Sequence, residues 1–179
     1  MAYDNPSNAT NPRARSVVVI LEDRKSSPAA LDLKRILTRY DGQIEARWAT
    51  TPLGFMEILD QLKNDGRVPD YFIIDIMIGL VENLDAVEIE NVYSPGGVLI
   101  GALFAYRVLR ARGSRYNKVP LTLFSILSEE ETFSDGGLQS LRDDARKDGR
   151  ENGVKYIEKE AWQGKIKEEM DRLVSRRKR

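Results

Sequence analysis

The apolar residues of this chain fall into short blocks that alternate between two periods. Ser16-Val17-Val18-Val19-Ile20-Leu21 is a continuous, largely β-branched run, the pattern of a strand buried on both faces. Ser26-Ser27-Pro28 then signals a helix start, with Pro in the first turn, and Leu33, Ile36, Leu37 and Tyr40 follow at helical spacing. Asp41-Gly42 predicts a turn. Ile44, Ala46 and Trp48 alternate as a strand with one buried face. Thr50 or Thr51 caps a second helix carrying Phe55, Ile58, Leu59 and Leu62, and Asp65-Gly66 closes it. Tyr71 to Ile78 predicts another buried strand.

Residues 79–97 break the rhythm. Beyond them, 98–109 reads as a helix ended by Arg112-Gly113, and 119–127 as a strand. A polar loop covers 128–137, a helix roughly 138–148, a short strand 154–158, and a last helix starts near 161 with Trp162, Ile166, Met170, Leu173 and Val174 on one face. The order β-α-β-α-β-α-β-α-β-α predicts an α/β fold, with a parallel sheet covered by helices on both faces. Residues 1–15, rich in Asn, Pro, Ser and Ala, read as a loose tail.

Composition narrows the chemistry. The 179 residues include no His and no Cys, and 28 Lys+Arg balance 28 Asp+Glu. Sulfur-ligated metals, thiolate nucleophiles, Ser-His-Asp triads and HExxH zinc sites are excluded. Carboxylates, hydroxyls, Lys, Arg and a hard cation held by oxygens remain. The zero formal charge argues against bulk attraction to nucleic acid or an anionic membrane. No apolar run is long enough to span a membrane and no signal-peptide pattern opens the chain, so a cytoplasmic location is expected.

In open α/β sheets functional groups gather at the carboxyl ends of the strands. The predicted strands place Glu22 and Asp23 at the end of the first, Asp75 in the third, Ser125 in the fourth and Lys159 after the fifth. Each has an ordinary structural reading alone. Together, three carboxylates in one pocket repel unless a cation or Lys compensates, and such clusters mark sites.

With these residues in this order the chain resembles a response-regulator receiver domain over about residues 16–175. The matching pieces are VVVILEDR, PDYFIIDIMI, LTLFSIL and GVKYIEKE. The resemblance implies a flavodoxin-like, five-stranded parallel sheet in the order 2-1-3-4-5, which the receiver proteins exemplify. It implies that Asp75 takes a phosphoryl group from a phosphohistidine on a histidine kinase or phosphotransfer protein. Asp23, Asp75 and the backbone carbonyl of Met77 would hold Mg²⁺, with Glu22 acting mainly through metal-bound water. Ser125 would bond a phosphoryl oxygen, and Lys159 would pair with Asp75 and then with the phosphate. Ser125 and Tyr156 would form the switch. The only activity expected is self-phosphorylation from a phosphodonor and autodephosphorylation. Pairing through the last helix and neighbouring strands would make a homodimer.

Four features depart from that family's pattern. Ile126 stands where a small residue normally follows the hydroxyl residue, and Glu160 stands where Pro normally follows Lys. The loops at about 79–97 and 128–137 belong to stretches longer than the family's. Both are acidic, with Glu82, Asp85, Glu88 and Glu90 in the first and Glu129, Glu130, Glu131 and Asp135 in the second. They read as solvated loops or, more sharply, as a docking surface for a basic partner or a restrictive lid. From Lys165 to Arg179 seven Lys/Arg face three Asp/Glu, and residues 176–179 form a basic tail. Cations there are favoured by the helix dipole, and a nucleic-acid role is not expected of them.

The leading expectation is a stand-alone response regulator that signals to a downstream protein by contact. The alternative is a divergent receiver that is not phosphorylated and acts as a constitutive interaction module. A Mg²⁺-dependent enzyme or flavodoxin-like ligand binder on the same fold ranks third. The first strand is followed by no Gly-rich phosphate loop.

Overall fold

A computed structural model describes residues 15–76, 78, 106–125, 143, 147, 154–158 and 162–176. Five strands, β1 (Ser16–Leu21), β2 (Ile44–Ala49), β3 (Tyr71–Asp75), β4 (Leu121–Ser125) and β5 (Val154–Glu158), form one sheet in the order β2-β1-β3-β4-β5. Every neighbouring pair is parallel. The helices are α1 (Pro28–Thr38), α2 (Pro52–Asn64) and α3 (Trp162–Arg176), with a further helical stretch over 106–110. The predicted class and strand order are those observed.

Period two in the strands sorts the core into two layers. Val17, Val19, Leu21, Phe72 and Ile74 face α2 and the 106–119 segment, packing on Phe55, Leu59, Leu62, Tyr106 and Leu109. Val18, Ile20, Tyr71 and Ile73 face α1 and α3, packing on Leu33, Leu37, Trp162, Ile166 and Met170. All six residues of β1 are buried, as a central strand requires.

The local signals act as the residue types dictate. Ser27 caps α1, its Oγ accepting the Ala30 N–H at 3.1 Å. Thr51, rather than Thr50, caps α2, its Oγ1 accepting the Gly54 N–H at 3.0 Å. Gly42 and Gly66 turn the chain at φ +80° and +68°, a region that favours glycine. Asp70 anchors the start of β3 by accepting the Val17 N–H at 2.8 Å.

Two strands are shorter than expected. β3 ends at Asp75, although Ile76 and Ile78 are buried and the Ile76 N–H still donates to Phe124 O at 2.9 Å. Val119, expected to open β4, instead closes a turn by donating its N–H to Tyr116 O at 3.0 Å. Apolar runs report burial, and burial continues past the paired part of a strand. β2 also differs, because its Ala46 and Trp48 are only half-buried. It is an edge strand of the sheet. The expected tail over 1–15, except Arg15, lies outside the described residues, as do the loops at 79–97 and 128–137 and the tail beyond Arg176. Of the helix expected over 138–148, Asp143 and Lys147 are helical and the rest lies outside. No described helix is long and apolar enough to cross a membrane.

Polar contacts fasten α3 across the layer. The Tyr40 hydroxyl donates to Asp171 Oδ1 at 2.8 Å, linking the end of α1 to α3. Lys155 of β5 pairs with Glu169 of α3. Tyr71 and Thr122 hydroxyls bond at 2.8 Å within the core, and burial pushes the Tyr71 phenol up. Burial first, and then the bond to Asp171, raises the Tyr40 phenol from 10.0 to about 12. A raised folded-state pKa means stability that is complete below the unfolded value and is lost as pH climbs through the folded one. Tyr40→Phe is therefore expected to cost about 1 kcal/mol near neutral pH. It should also reduce the fall in stability between pH 10 and about 12. Urea unfolding at pH 7, 10 and 11.5 checks both, and a variant as stable as wild type at pH 7 contradicts the clasp.

Candidate functional site

The chain runs outward from β1 to β2, returns past β1, and continues to β3, β4 and β5. Strand order therefore reverses between β1 and β3, and the crossovers leaving these two strands diverge above the sheet. That opening is where α/β folds place ligands. Parallel register sets what stands there. Leu21 of β1 lies opposite Ile74 of β3, so the next residues, Glu22 and Asp75, come level at the carboxyl edge.

The result is a compact acidic cluster. One carboxylate oxygen from each of Glu22, Asp23 and Asp75 lies within 4.8 Å of the others. Glu22 is 2% exposed and Asp75 3%, while Asp23 is half-buried. The Glu22 N–H donates to Ala49 O of β2 at 3.0 Å, which holds the first acidic residue against the edge strand. Asp75 is bracketed by β4, because it pairs in register with Phe124 and the following N–H bonds to Phe124 O. Phe124 in turn packs edge-on against the buried Trp162 of α3, with ring centroids 4.9 Å apart. Strand β4 is thus braced from the helix side at the residue before Ser125.

Three carboxylates at this spacing are an oxygen-only donor set. Hard divalent cations such as Mg²⁺, Mn²⁺ and Ca²⁺ take such ligands, and soft metals do not. Two buried members of the set make the cluster costly without a compensating positive charge. The residues present fit a divalent metal.

The structure brings Glu22, Asp23 and Asp75 together. Ser125 is the last residue of β4 and pairs in register with Glu158, so its backbone stands at the same edge. Tyr156, the expected switch residue, is half-buried on β5 opposite Leu123, against the core layer that holds α2. Lys159 follows Glu158 directly and, like Met77, lies outside the described residues. Among the described residues no fourth carboxylate joins the cluster. The bracing pair Phe124–Trp162 is what reading the sequence missed. Its only signal is two bulky aromatics in separate apolar patterns, which does not reveal that they meet.

No family model matches the chain, and no curated protein matches it. Solved structures do. The Mn²⁺-bound form of response regulator Rcp1 is 13% identical, with TM-score 0.51, over 89% of this chain and 92% of that one. The phosphorylated cyanobacterial phytochrome response regulator RcpA is 14% identical, with TM-score 0.50, over 89% and 91%. At these identities the likeness is one of fold. It extends over nearly the whole length of both partners, and it agrees with the strand order. The chain has the fold of the response-regulator receivers.

Proposed function

We propose that this protein is a response regulator that accepts a phosphoryl group on Asp75 and signals by protein contact. The observation that carries the reading is the joint placement of Glu22, Asp23 and Asp75 within 4.8 Å at the switch point of a receiver-type sheet. One structural neighbour is described as Mn²⁺-bound and another as phosphorylated, which suits the same chemistry here.

The chain's own residues would divide the work as follows. An Asp75 carboxylate oxygen attacks the phosphorus of a phosphohistidine or of a small acyl phosphate. A new O–P bond forms as the P–N or P–O bond to the donor breaks, and the departing donor keeps the electron pair. A carboxylate is the nucleophile such an acyl phosphate requires. Asp23, Asp75 and the Met77 carbonyl would hold Mg²⁺, with Glu22 reaching it through water. When bound, the cation supplies charge neutralisation between the carboxylate and the incoming phosphate. Lys159 would offer its ammonium charge to the phosphoryl oxygens, and Ser125 would donate its hydroxyl to one of them. The product replaces the single negative charge of the carboxylate with a phosphoryl group of about −1.5 to −2, and rearrangement of Ser125 and Tyr156 would read it out. The donor would be a histidine kinase or phosphotransfer protein, and the cytoplasm would be its setting. A homodimer through α3 and adjoining strands is part of the same reading.

Ile126 favours a second reading. A bulky residue where the receiver pattern has a small one would leave less room for a phosphoryl group, which suits a receiver that keeps the fold and the acidic pocket as a constitutive interaction module. Intact mass spectrometry after incubation with acetyl phosphate and Mg²⁺ separates the two. A single phosphoryl adduct, absent from Asp75→Asn, is expected. Lys159→Ala should slow its formation by roughly 100-fold, the size of effect seen when a positioned charge-stabilising donor is removed. No adduct, with a beryllofluoride complex also absent, contradicts phosphorylation and supports the module.

A further inference from the structure

A second charged surface lies at the opposite edge of the sheet. Between Glu90 and Glu129 the chain has no Asp or Glu and five Lys/Arg, all within the stretch from Arg107 to Lys118. Arg107, Arg112, Arg115 and Lys118 are exposed. The loop that displays them is built to hold its shape. Arg110 is spent on this, donating from Nη1 to Tyr116 O at 3.2 Å and from Nη2 to Val119 O at 3.1 Å. Gly113 takes φ +81°, and the Tyr116 N–H donates to Ser114 Oγ at 3.2 Å. The Tyr116 hydroxyl donates to Leu59 O at 3.2 Å, pinning the loop to α2.

The surface widens onto the neighbouring α2–β3 connection. Arg115 donates to Arg67 O at 3.2 Å, and Lys63 is exposed near the end of α2. Carboxylates are present here, but one is already engaged. Glu45 accepts from Arg67 at 2.7 Å and from Arg47 at 2.5 Å, and the Arg67 bond foremost holds its carboxyl below the usual range. Exposed Asp65 and exposed Asp60, whose charge reaches Tyr116, offset part of the charge. The five residues of β4 separate this edge from the carboxylate cluster by about 16 Å. That is roughly two Debye lengths at physiological salt, so the acidic edge does not cancel the basic one.

We propose that this surface binds the phosphate backbone of a nucleic acid. Three of the four exposed cations in the loop are Arg, whose planar fork matches phosphate oxygens in a bidentate manner, although Arg115 keeps one of its donors on Arg67 O. The loop's internal hydrogen bonds hold its backbone, which lowers the ordering cost of binding. A protein partner would want an apolar centre. Of the exposed large apolar residues among those described, only Val68 is near the patch, since Leu31 and Leu53 lie near the starts of α1 and α2. Binding is weak and set by charge, because the whole chain is neutral. With about four phosphates neutralised, affinity should fall about 50-fold between 50 and 150 mM salt.

Fluorescence anisotropy with a labelled DNA duplex of about 20 base pairs, two helical turns, tests this on the full chain. Wild type should bind with that salt dependence. Arg112→Glu with Lys118→Glu, a pair of exposed residues, should weaken binding about 10-fold or more at the lower salt and flatten the slope. Circular dichroism melting confirms that the variant is folded. Arg176→Glu, in the basic end of α3, should leave binding unchanged. No binding at 50 mM salt overturns the proposal. So does binding lost in Arg176→Glu but kept in the double variant, or poly-glutamate binding more tightly than the duplex, which would assign the patch to an acidic protein.

Discussion

Mutual repulsion of three carboxylates, brought within 4.8 Å by strand register, is the constraint from which the rest of this molecule follows. Like charges this close oppose one another unless a cation or a basic side chain compensates. Two of the three are almost wholly withdrawn from water. A domain whose net stability is only ~5–15 kcal/mol cannot carry such a cluster cheaply. The scaffold around it is correspondingly firm: β1 is buried along its whole length, Glu22 is tied to β2, and Asp75 is tied through its following residue to β4. The aromatic pair Phe124–Trp162 then fixes β4 against α3. A divalent cation held among all three carboxylates would oppose their mutual repulsion more strongly than any single charge, which is how metal chemistry can act on the fold.

Parallel topology also explains how charge is segregated. Every strand points the same way, so strand-to-helix connections leave from one edge and helix-to-strand connections arrive at the other. The acidic cluster sits on the first kind of connection and the Arg-rich loop on the second. The chain's balance of 28 against 28 is therefore a sum over separated poles. Local fields at each edge, not the total, are what a partner meets.

The strands and their order were legible because β-branched runs alternate with helix-period blocks, and a β-α alternation leaves few topologies. Glu22, Asp23 and Asp75 were legible as a group because strand ends in such a sheet converge. The edge position of β2 followed from the expected order 2-1-3-4-5, but the half-burial of Ala46 and Trp48 was hidden, since Ile44, Ala46 and Trp48 alternate as they would in a strand with one fully buried face. The end of β3 was overestimated because Ile76 and Ile78 remain buried after pairing stops. The basic loop escaped notice for a different reason. Its charges are spread over a helix end and a turn, with Arg110 hidden among them in a structural role that only its contacts with Tyr116 O and Val119 O reveal.

The acidic cluster is tested most directly by thermal melting of wild type and Asp75→Asn, each with and without Mg²⁺. At one hundred times its dissociation constant, Mg²⁺ should stabilise wild type by about 2.7 kcal/mol, or roughly 5–10 °C, and leave the variant almost unmoved. A variant that gains as much from Mg²⁺ as wild type does would contradict the account.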